Sequence, residues 1–161
     1  MFQRLLPALL SGLLLATSSC VLVASDSDSS STSRPSRSTY NKEGRSDDLP
    51  FSHLVRTGDT YYVAGTLGLD PATGQAPEDV EDEVRFLLDD FAAKLALAGL
   101  EMDDLVSVQI FCPELELYET FNRVYATYFE DRYPVRSFLG SGPLLRGCHF
   151  EMNGIAVRSR N

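Results

Sequence analysis

The chain has 161 residues, a formal net charge of −9 and a sequence pI of about 4.6. This length allows one domain with a substantial core and is short for two domains. The excess of acidic residues lies beyond residue 46, because the first 46 residues carry more basic than acidic side chains. A domain this acidic repels phosphate backbones, so nucleic acid is excluded as an expected partner.

The first 24 residues have the pattern of a secretory signal peptide. A basic start at Arg4 is followed by an almost wholly apolar run from Leu5 to Ala16, and small polar residues follow up to Cys20. This is the order of the three regions of an export signal. The run is too short for a typical transmembrane helix, and an uncleaved anchor helix is the alternative. The sequence therefore predicts an exported protein.

Cys20 is a candidate for lipidation. Ser18 and Ser19 precede it, as in the lipobox of bacterial lipoproteins, whereas Thr17 stands where leucine or valine is usual. Lipidation at Cys20 would give a membrane-anchored lipoprotein. Ordinary cleavage near Ser18 or Ala24 would instead release a periplasmic or secreted soluble protein. The sequence leaves both outcomes open.

Residues 25–48 predict a disordered linker. The stretch from Ser25 to Ser33 is a low-complexity run of serine and aspartate, and no apolar run occurs before Leu49. Such a composition buries too little apolar surface to offset the entropy that ordering costs. The folded domain is therefore expected to span residues 49–161.

The domain contains, in chain order, two strands, a helix, a strand, a helix and two strands. Gly58 marks the turn between the first two strands, and Gly99 is a plausible stop for the first helix. Side chains that repeat at helical spacing give this helix one apolar face. The predicted strands cover residues 51–55, 60–64, 105–111, 135–139 and 150–157, and the predicted helices cover 79–98 and 115–131.

This order predicts a two-layer α+β domain in which both helices cover one face of a single sheet. Four apolar residues lie in different strands, namely Tyr62, Phe111, Phe138 and Ile155. Any of them that points away from the helices needs another cover. Self-association is the natural way to bury such an apolar sheet face.

Two charged residues in the last strands are candidates for chemistry. Arg136 follows Pro134 at the start of a strand, and its planar guanidinium is shaped to hold a carboxylate through two parallel hydrogen bonds. Glu151 lies in an otherwise apolar strand, where a carboxylate can serve as an acid or base. The alternatives are a surface ion pair for Arg136 and a solvent-facing edge charge for Glu151.

The cysteines and histidines give no metal motif. The two domain cysteines, Cys112 and Cys148, could pair in an oxidising compartment, but the sequence does not say whether they are close enough. No Cys-x-x-Cys occurs, and His53 and His149 lack the spacing of metal ligands. No metal site is expected.

Several motifs, taken in order, resemble those of the Rid family, the reactive enamine and imine deaminases also called YjgF/YER057c/UK114. The resemblance covers roughly residues 49–158. It rests on Val63-Ala64-Gly65, on the segment 70–74, on Phe121-Asn122-Arg123-Val124-Tyr125, on Pro134-Val135-Arg136-Ser137 and on the strand with Phe150-Glu151. Each motif alone is weak, whereas their order and spacing together are specific.

The resemblance implies a chorismate-mutase-like fold and a homotrimer with sites in the clefts between subunits. It implies hydrolysis of small 2-imino acids to 2-oxo acids and ammonia, without a cofactor. Arg136 falls on the family's carboxylate-binding arginine, and Glu151 on the glutamate that positions the hydrolytic water. Gly65 and Asn122 fall on positions near the substrate.

Two departures from the family pattern predict an altered pocket. Phe51 stands where the family usually has a tyrosine that borders the site, and Phe138 stands where a cysteine is common. Both are expected to contact the substrate. These changes keep open a second hypothesis, a non-catalytic module of the same fold that binds small carboxylates outside the cytoplasm. A third, nucleic-acid cleavage, conflicts with the acidic charge.

Overall fold

The structure, a computed structural model, describes residues 36–44, 48–130 and 132–158. The predicted signal peptide, Cys20 and residues 25–35 of the predicted linker lie outside these ranges, so export and lipidation stay predictions. Within the described ranges no helix has both the length and the apolar character needed to cross a membrane.

The described part of the chain forms one mixed sheet and two helices, as the sequence predicts. The sheet has six strands in the order β1-β2-β3-β6-β4-β5, and the β4–β5 pair is parallel whereas the other pairs are antiparallel. The strands are β1 Arg37–Tyr40, β2 Leu54–Thr57, β3 Thr60–Leu67, β4 Leu105–Cys112, β5 Val135–Gly140 and β6 Glu151–Val157. The helices are α1 Val80–Ala96 and α2 Tyr118–Tyr125.

Strand β1 corrects the predicted linker. Arg37 to Tyr40 pair antiparallel with β2 inside the stretch that was expected to be disordered. Three of these four residues are polar, so the strand has no apolar alternation to reveal it. Edge strands tolerate such composition because only one side needs a partner. The folded domain therefore begins before Leu49.

Helix α1, at Val80–Ala96, lies within the predicted helix 79–98 and is one residue shorter at its start and two shorter at its end. The Asp79 side chain accepts hydrogen bonds from the backbone N–H groups of Glu81 and Asp82, which caps the first turn. At the other end Gly99 has φ +65°, a left-handed conformation that glycine adopts without a steric cost. Between these ends the apolar stripe of the helix is buried against the sheet.

Helix α2 is shorter than the predicted 115–131. The α-helical part spans Tyr118–Tyr125, and tight 3₁₀ turns at Leu115–Leu117 and Ala126–Tyr128 extend it at both ends. Such turns are common at helix ends. At Phe129 the backbone becomes extended, and Pro134 then leads into β5.

The two helices pack on one face of the sheet, called here the helix face, and the opposite face is called the open face. On the helix face Ile110, Phe150 and Met152 are fully buried. On the open face Tyr62 is 48% exposed. Phe111 and Ile155 are half-buried on that face too. Among the four apolar residues considered above, Phe138 lies on the helix face instead, because its β4 partner is the buried Ile110.

Candidate functional site

Arg136 lies on the helix face of β5, under α2. Its guanidinium carbon is 4.9 Å from the ring centre of Tyr125 and 5.6 Å from that of Tyr118. One guanidinium nitrogen also donates a hydrogen bond to the Tyr118 hydroxyl at 3.3 Å. Two aromatic faces hold the cation by cation–π attraction, and most of its N–H donors have no partner among the described residues.

The Arg136 side chain opens into a cavity of about 290 Å³, called here the arginine cavity. Within the described residues no carboxylate lies within ion-pair distance of Arg136, so the structure there gives no surface ion pair of the kind considered above. The lining residues are Asn122, Tyr125, Ala126, Tyr133, Pro134 and Arg136. Asn122 and Arg136, both expected near the substrate from the family resemblance, therefore line one cavity.

Two of the residues that line this cavity carry a buried polar atom with no hydrogen-bond partner among the described residues. These atoms are Oδ1 of Asn122 and the hydroxyl of Tyr125. Burial raises the pKa of Tyr125 to about 12, so at neutral pH the hydroxyl is a neutral donor. Because buried polar groups are normally paired, these atoms together with Arg136 indicate a binding place for a polar or anionic group.

Phe138 lies beside the arginine cavity but does not line it. Its ring packs edge-on against Tyr118 at 5.0 Å and against Phe121 at 5.6 Å between ring centres. These contacts make it part of the aromatic layer that supports α2. In one chain Phe138 therefore positions Tyr118, and through it Arg136, rather than facing the cavity.

Glu151 and Gly65 lie together on the open face of the sheet. A β-carbon on Gly65 would come within 2.1 Å of Oε1 of Glu151, so the carboxylate lies directly on the glycine backbone. The contact occurs where the pairing between β3 and β6 is irregular, between Val63 and Thr66. Such an irregularity bends the strand and re-aims its side chains.

The strand register places Arg136 and Glu151 far apart within one chain. On β4, Arg136 pairs with Val108 and Glu151 pairs with Phe111. The two backbones are therefore roughly 10 Å apart across the sheet and roughly 10 Å apart along it. Val108 is buried on the helix face, whereas Phe111 lies on the open face. The two candidate catalytic side chains point to opposite faces of the sheet.

Phe51 lies in the segment before β2. It is 48% exposed, and its ring centre lies 6.1 Å from that of His53 in an edge-on arrangement. It does not line the arginine cavity. The described chain thus separates the predicted residues into three places: Arg136 with Asn122, Glu151 with Gly65, and Phe51.

Two buried charges on α1 were missed by the sequence analysis. Glu83 is fully buried and accepts hydrogen bonds from the backbone N–H groups of His149 and Phe150, at 2.7 and 2.9 Å. Lys94 is 5% exposed. Both lie at helical spacing from the apolar stripe, Glu83 three residues after Val80 and Lys94 three after Phe91. This helical spacing was the sequence signal that could have placed both charged residues on the buried face of α1.

The remaining reactive groups are the possible metal ligands and the two domain cysteines. In residues 36–44, 48–130 and 132–158 no group of three His, Cys, Asp or Glu side chains is arranged to hold a metal ion. Cys112 and Cys148 are both buried and unpaired. Burial raises the pKa of the Cys148 thiol to about 11, which makes it a poor nucleophile.

Comparison with protein families gives a match over nearly all of the folded part. The family model described as Endoribonuclease L-PSP matches residues 46–158. The reactive intermediate deaminase TdcF of Escherichia coli is 32% identical over 113 residues, covering 68% of this chain and 88% of that protein. The 2-iminobutanoate/2-iminopropanoate deaminase of Mus musculus is 32% identical over 110 residues, covering 68% and 82%.

Solved structures share the fold. The YjgF gene product of E. coli superimposes with a TM-score of 0.69 at 28% identity, covering 76% of this chain and 99% of that one. A crystal structure of E. coli TdcF with bound serine gives a TM-score of 0.65 at 30% identity, covering 75% and 94%.

Proposed function

The chain belongs to the Endoribonuclease L-PSP family, which is the Rid or YjgF family, and from this premise we propose that it hydrolyses small 2-imino acids to 2-oxo acids and ammonia. The relatives named as deaminases of reactive intermediates or 2-imino acids support this reaction class. The observation that carries the proposal is Arg136, which lines the arginine cavity and has most of its N–H donors without a partner among the described residues.

Arg136 is proposed to hold the substrate carboxylate. Its planar fork matches the two carboxylate oxygens, and the rings of Tyr118 and Tyr125 keep the fork in place. The Tyr125 hydroxyl could donate to the same carboxylate, whereas Asn122 Oδ1 is an acceptor and would take a donor such as the substrate's imine N–H. Serine, the ligand in the TdcF structure, also carries a carboxylate.

Glu151 is proposed to activate the water. The carboxylate accepts a proton from water as the water oxygen bonds to the imine carbon, and it returns that proton to the nitrogen, which gives a carbinolamine. The carboxylate then takes the proton of the carbinolamine hydroxyl and passes it to the nitrogen. The C–N bond breaks as the C=O bond forms, so ammonia leaves and the 2-oxo acid remains. This reaction needs no redox step and no cofactor.

A homotrimer is proposed to bring Arg136 and Glu151 together. Within one chain they face opposite sides of the sheet, so a site that uses both needs a second subunit. The open face, with Tyr62 48% exposed, offers the apolar surface for that association. Each site would then take its arginine from one subunit and its glutamate from the neighbour.

A subunit-mixing experiment tests this arrangement. Arg136→Lys and Glu151→Gln are each expected to be nearly inactive. In the assay an amino-acid oxidase makes the 2-imino acid, semicarbazide traps what remains of it, and deaminase activity lowers the trapped amount. Co-refolding the two variants in equal amounts should restore activity in about a quarter of the sites, because those sites receive both intact residues from different chains.

The outcomes separate the parts of the proposal. Inactive mixtures of two inactive variants, with a stable trimer by light scattering, would mean that each site uses one chain only. A parent protein without turnover on any small 2-imino acid would refute the deaminase assignment itself.

The two rival functions have less support. The named relatives are deaminases, and none of these comparisons supports the non-catalytic binding module. The description of the family model as an endoribonuclease would allow RNA cleavage, but the net charge of −9 opposes binding of a phosphate backbone. Export through residues 1–24 stays a separate prediction, which mass spectrometry of the mature N-terminus would test.

A further inference from the structure

Lys94 is a buried ammonium group on the sheet-facing side of α1. It is 5% exposed, and its Nζ lies 3.0 Å from Oδ2 of Asp90. It donates a hydrogen bond to the Thr66 hydroxyl at 2.7 Å and a longer one to the Gly65 carbonyl at 3.4 Å. Burying a charge raises the free energy of the folded state unless the charge is paired, so a buried lysine at this position needs a structural or functional explanation.

The contacts of Lys94 fall on the same peptide that Glu151 covers. Gly65 and Thr66 form the irregular point of β3, where the pairing with β6 shifts. The Glu151 carboxylate lies against the Gly65 backbone. Lys94 donates hydrogen bonds to the same two residues, at the Gly65 carbonyl and the Thr66 hydroxyl.

We propose that Lys94 is a positioning residue for Glu151, holding in place the Gly65 peptide on which the carboxylate lies. This inference rests on the proposed function of Glu151 as the group that activates water. Lys94 acts through Gly65 and Glu151 and contacts no substrate in this scheme.

The charges around Lys94 come from several elements. Asp90 on α1 pairs with it, and Lys42, which follows β1, pairs with the other oxygen of Asp90. Glu151 acts from β6. Asp70 and Asp89 line the same cavity of about 610 Å³. Burial lowers the pKa of Lys94, and Asp90 opposes that shift.

Because Lys42 also pairs with Asp90, it allows an experiment on Lys94 with a matched control. If Lys94 is replaced by methionine, which has a similar length and no charge, Asp90 keeps Lys42 as its partner and no buried carboxylate is orphaned. Lys94→Met should therefore fold. Lys42→Met is the matched control, because it removes the other lysine from the same carboxylate and leaves the contacts of Lys94 with Gly65 and Thr66 intact.

Two measurements on the full chain test the inference. In amide NMR, Lys94→Met should shift the backbone signals of Gly65 and Glu151, because the Gly65 peptide that the Glu151 carboxylate contacts loses its hydrogen bond from the ammonium. Lys42→Met should leave these signals nearly unchanged. In the imine assay, Lys94→Met should lower kcat about 10- to 100-fold with KM little changed, because Arg136 still binds the carboxylate.

The NMR result does not depend on activity. If the parent protein lacks turnover but the Gly65 and Glu151 signals shift only in Lys94→Met, the positioning role stands and the proposed function fails. If the parent is active and Lys94→Met changes neither kcat nor these signals, the positioning role is overturned. Equal shifts in both lysine variants would also overturn it, since they would reflect general charge loss.

Discussion

Oε1 of Glu151 lies 2.1 Å from the position that a β-carbon on Gly65 would take. The glycine thus lets the carboxylate lie directly on the backbone of β3. Any larger residue at position 65 would push the carboxylate away, and the atom to be displaced is the tip of a flexible side chain. The contact therefore controls where Glu151 points more than whether the domain folds.

Gly65→Ala is expected to lower turnover strongly while the free energy of unfolding stays nearly unchanged. The control is Gly68→Ala, where a β-carbon would lie 2.1 Å from the backbone oxygen of Glu83. Backbone inside α1 cannot move aside, so this variant should be clearly destabilised. Denaturant unfolding and the imine assay on both variants check the pair. Full activity in Gly65→Ala would separate Glu151 from the reaction.

Arg136→Lys is expected to lose most turnover and to bind 2-oxo acid products more weakly. An ammonium keeps the charge but cannot form the two parallel hydrogen bonds of the guanidinium. The control is Arg123→Lys on α2, an exposed arginine that pairs with Glu81. Titration calorimetry with a 2-oxo acid measures the binding. If the two variants behave alike, Arg136 is not the carboxylate-binding group.

Glu83→Ala is expected to destabilise the domain by at least about 2 kcal/mol, because it leaves two buried backbone N–H groups without an acceptor. The Glu83 carboxylate accepts from the N–H groups of His149 and Phe150 and lies 2.7 Å from Nδ1 of His149. Glu83→Gln keeps a carbonyl oxygen for both N–H groups and should lose much less. Urea unfolding compares the two variants, and equal losses would contradict this account.

The thiols of Cys112 and Cys148 are expected to react slowly in the native protein. Both are buried, and burial raises the pKa of each, that of Cys148 to about 11. At pH 8 roughly one Cys148 thiol in a thousand would be the reactive thiolate. Reaction with a chromogenic disulfide should proceed rapidly only in guanidinium chloride. Rapid labelling of the cysteines in the native protein at pH 8 would contradict this and would show that local opening of the fold exposes them.

Most of the fold could be predicted from local patterns. Apolar spacing in α1 and the Gly99 stop each act over one or two turns of chain, so the sequence alone places that helix. Strand β1 escaped prediction because its residues are mostly polar and its pairing with β2 is the reason that it is extended. A polar edge strand has no periodic signal of its own.

The sequence by itself determined which residue types are available for the chemistry: an arginine after a proline, a glutamate in an apolar strand, and the family to which their order belongs. Only the tertiary structure decided where they point. Strand alternation assigns each side chain to one of two faces, but the register across β4 decides how neighbouring strands align. That register puts Arg136 under α2 and Glu151 on the open face. It also brings Lys94, distant in sequence, to the peptide that Glu151 covers.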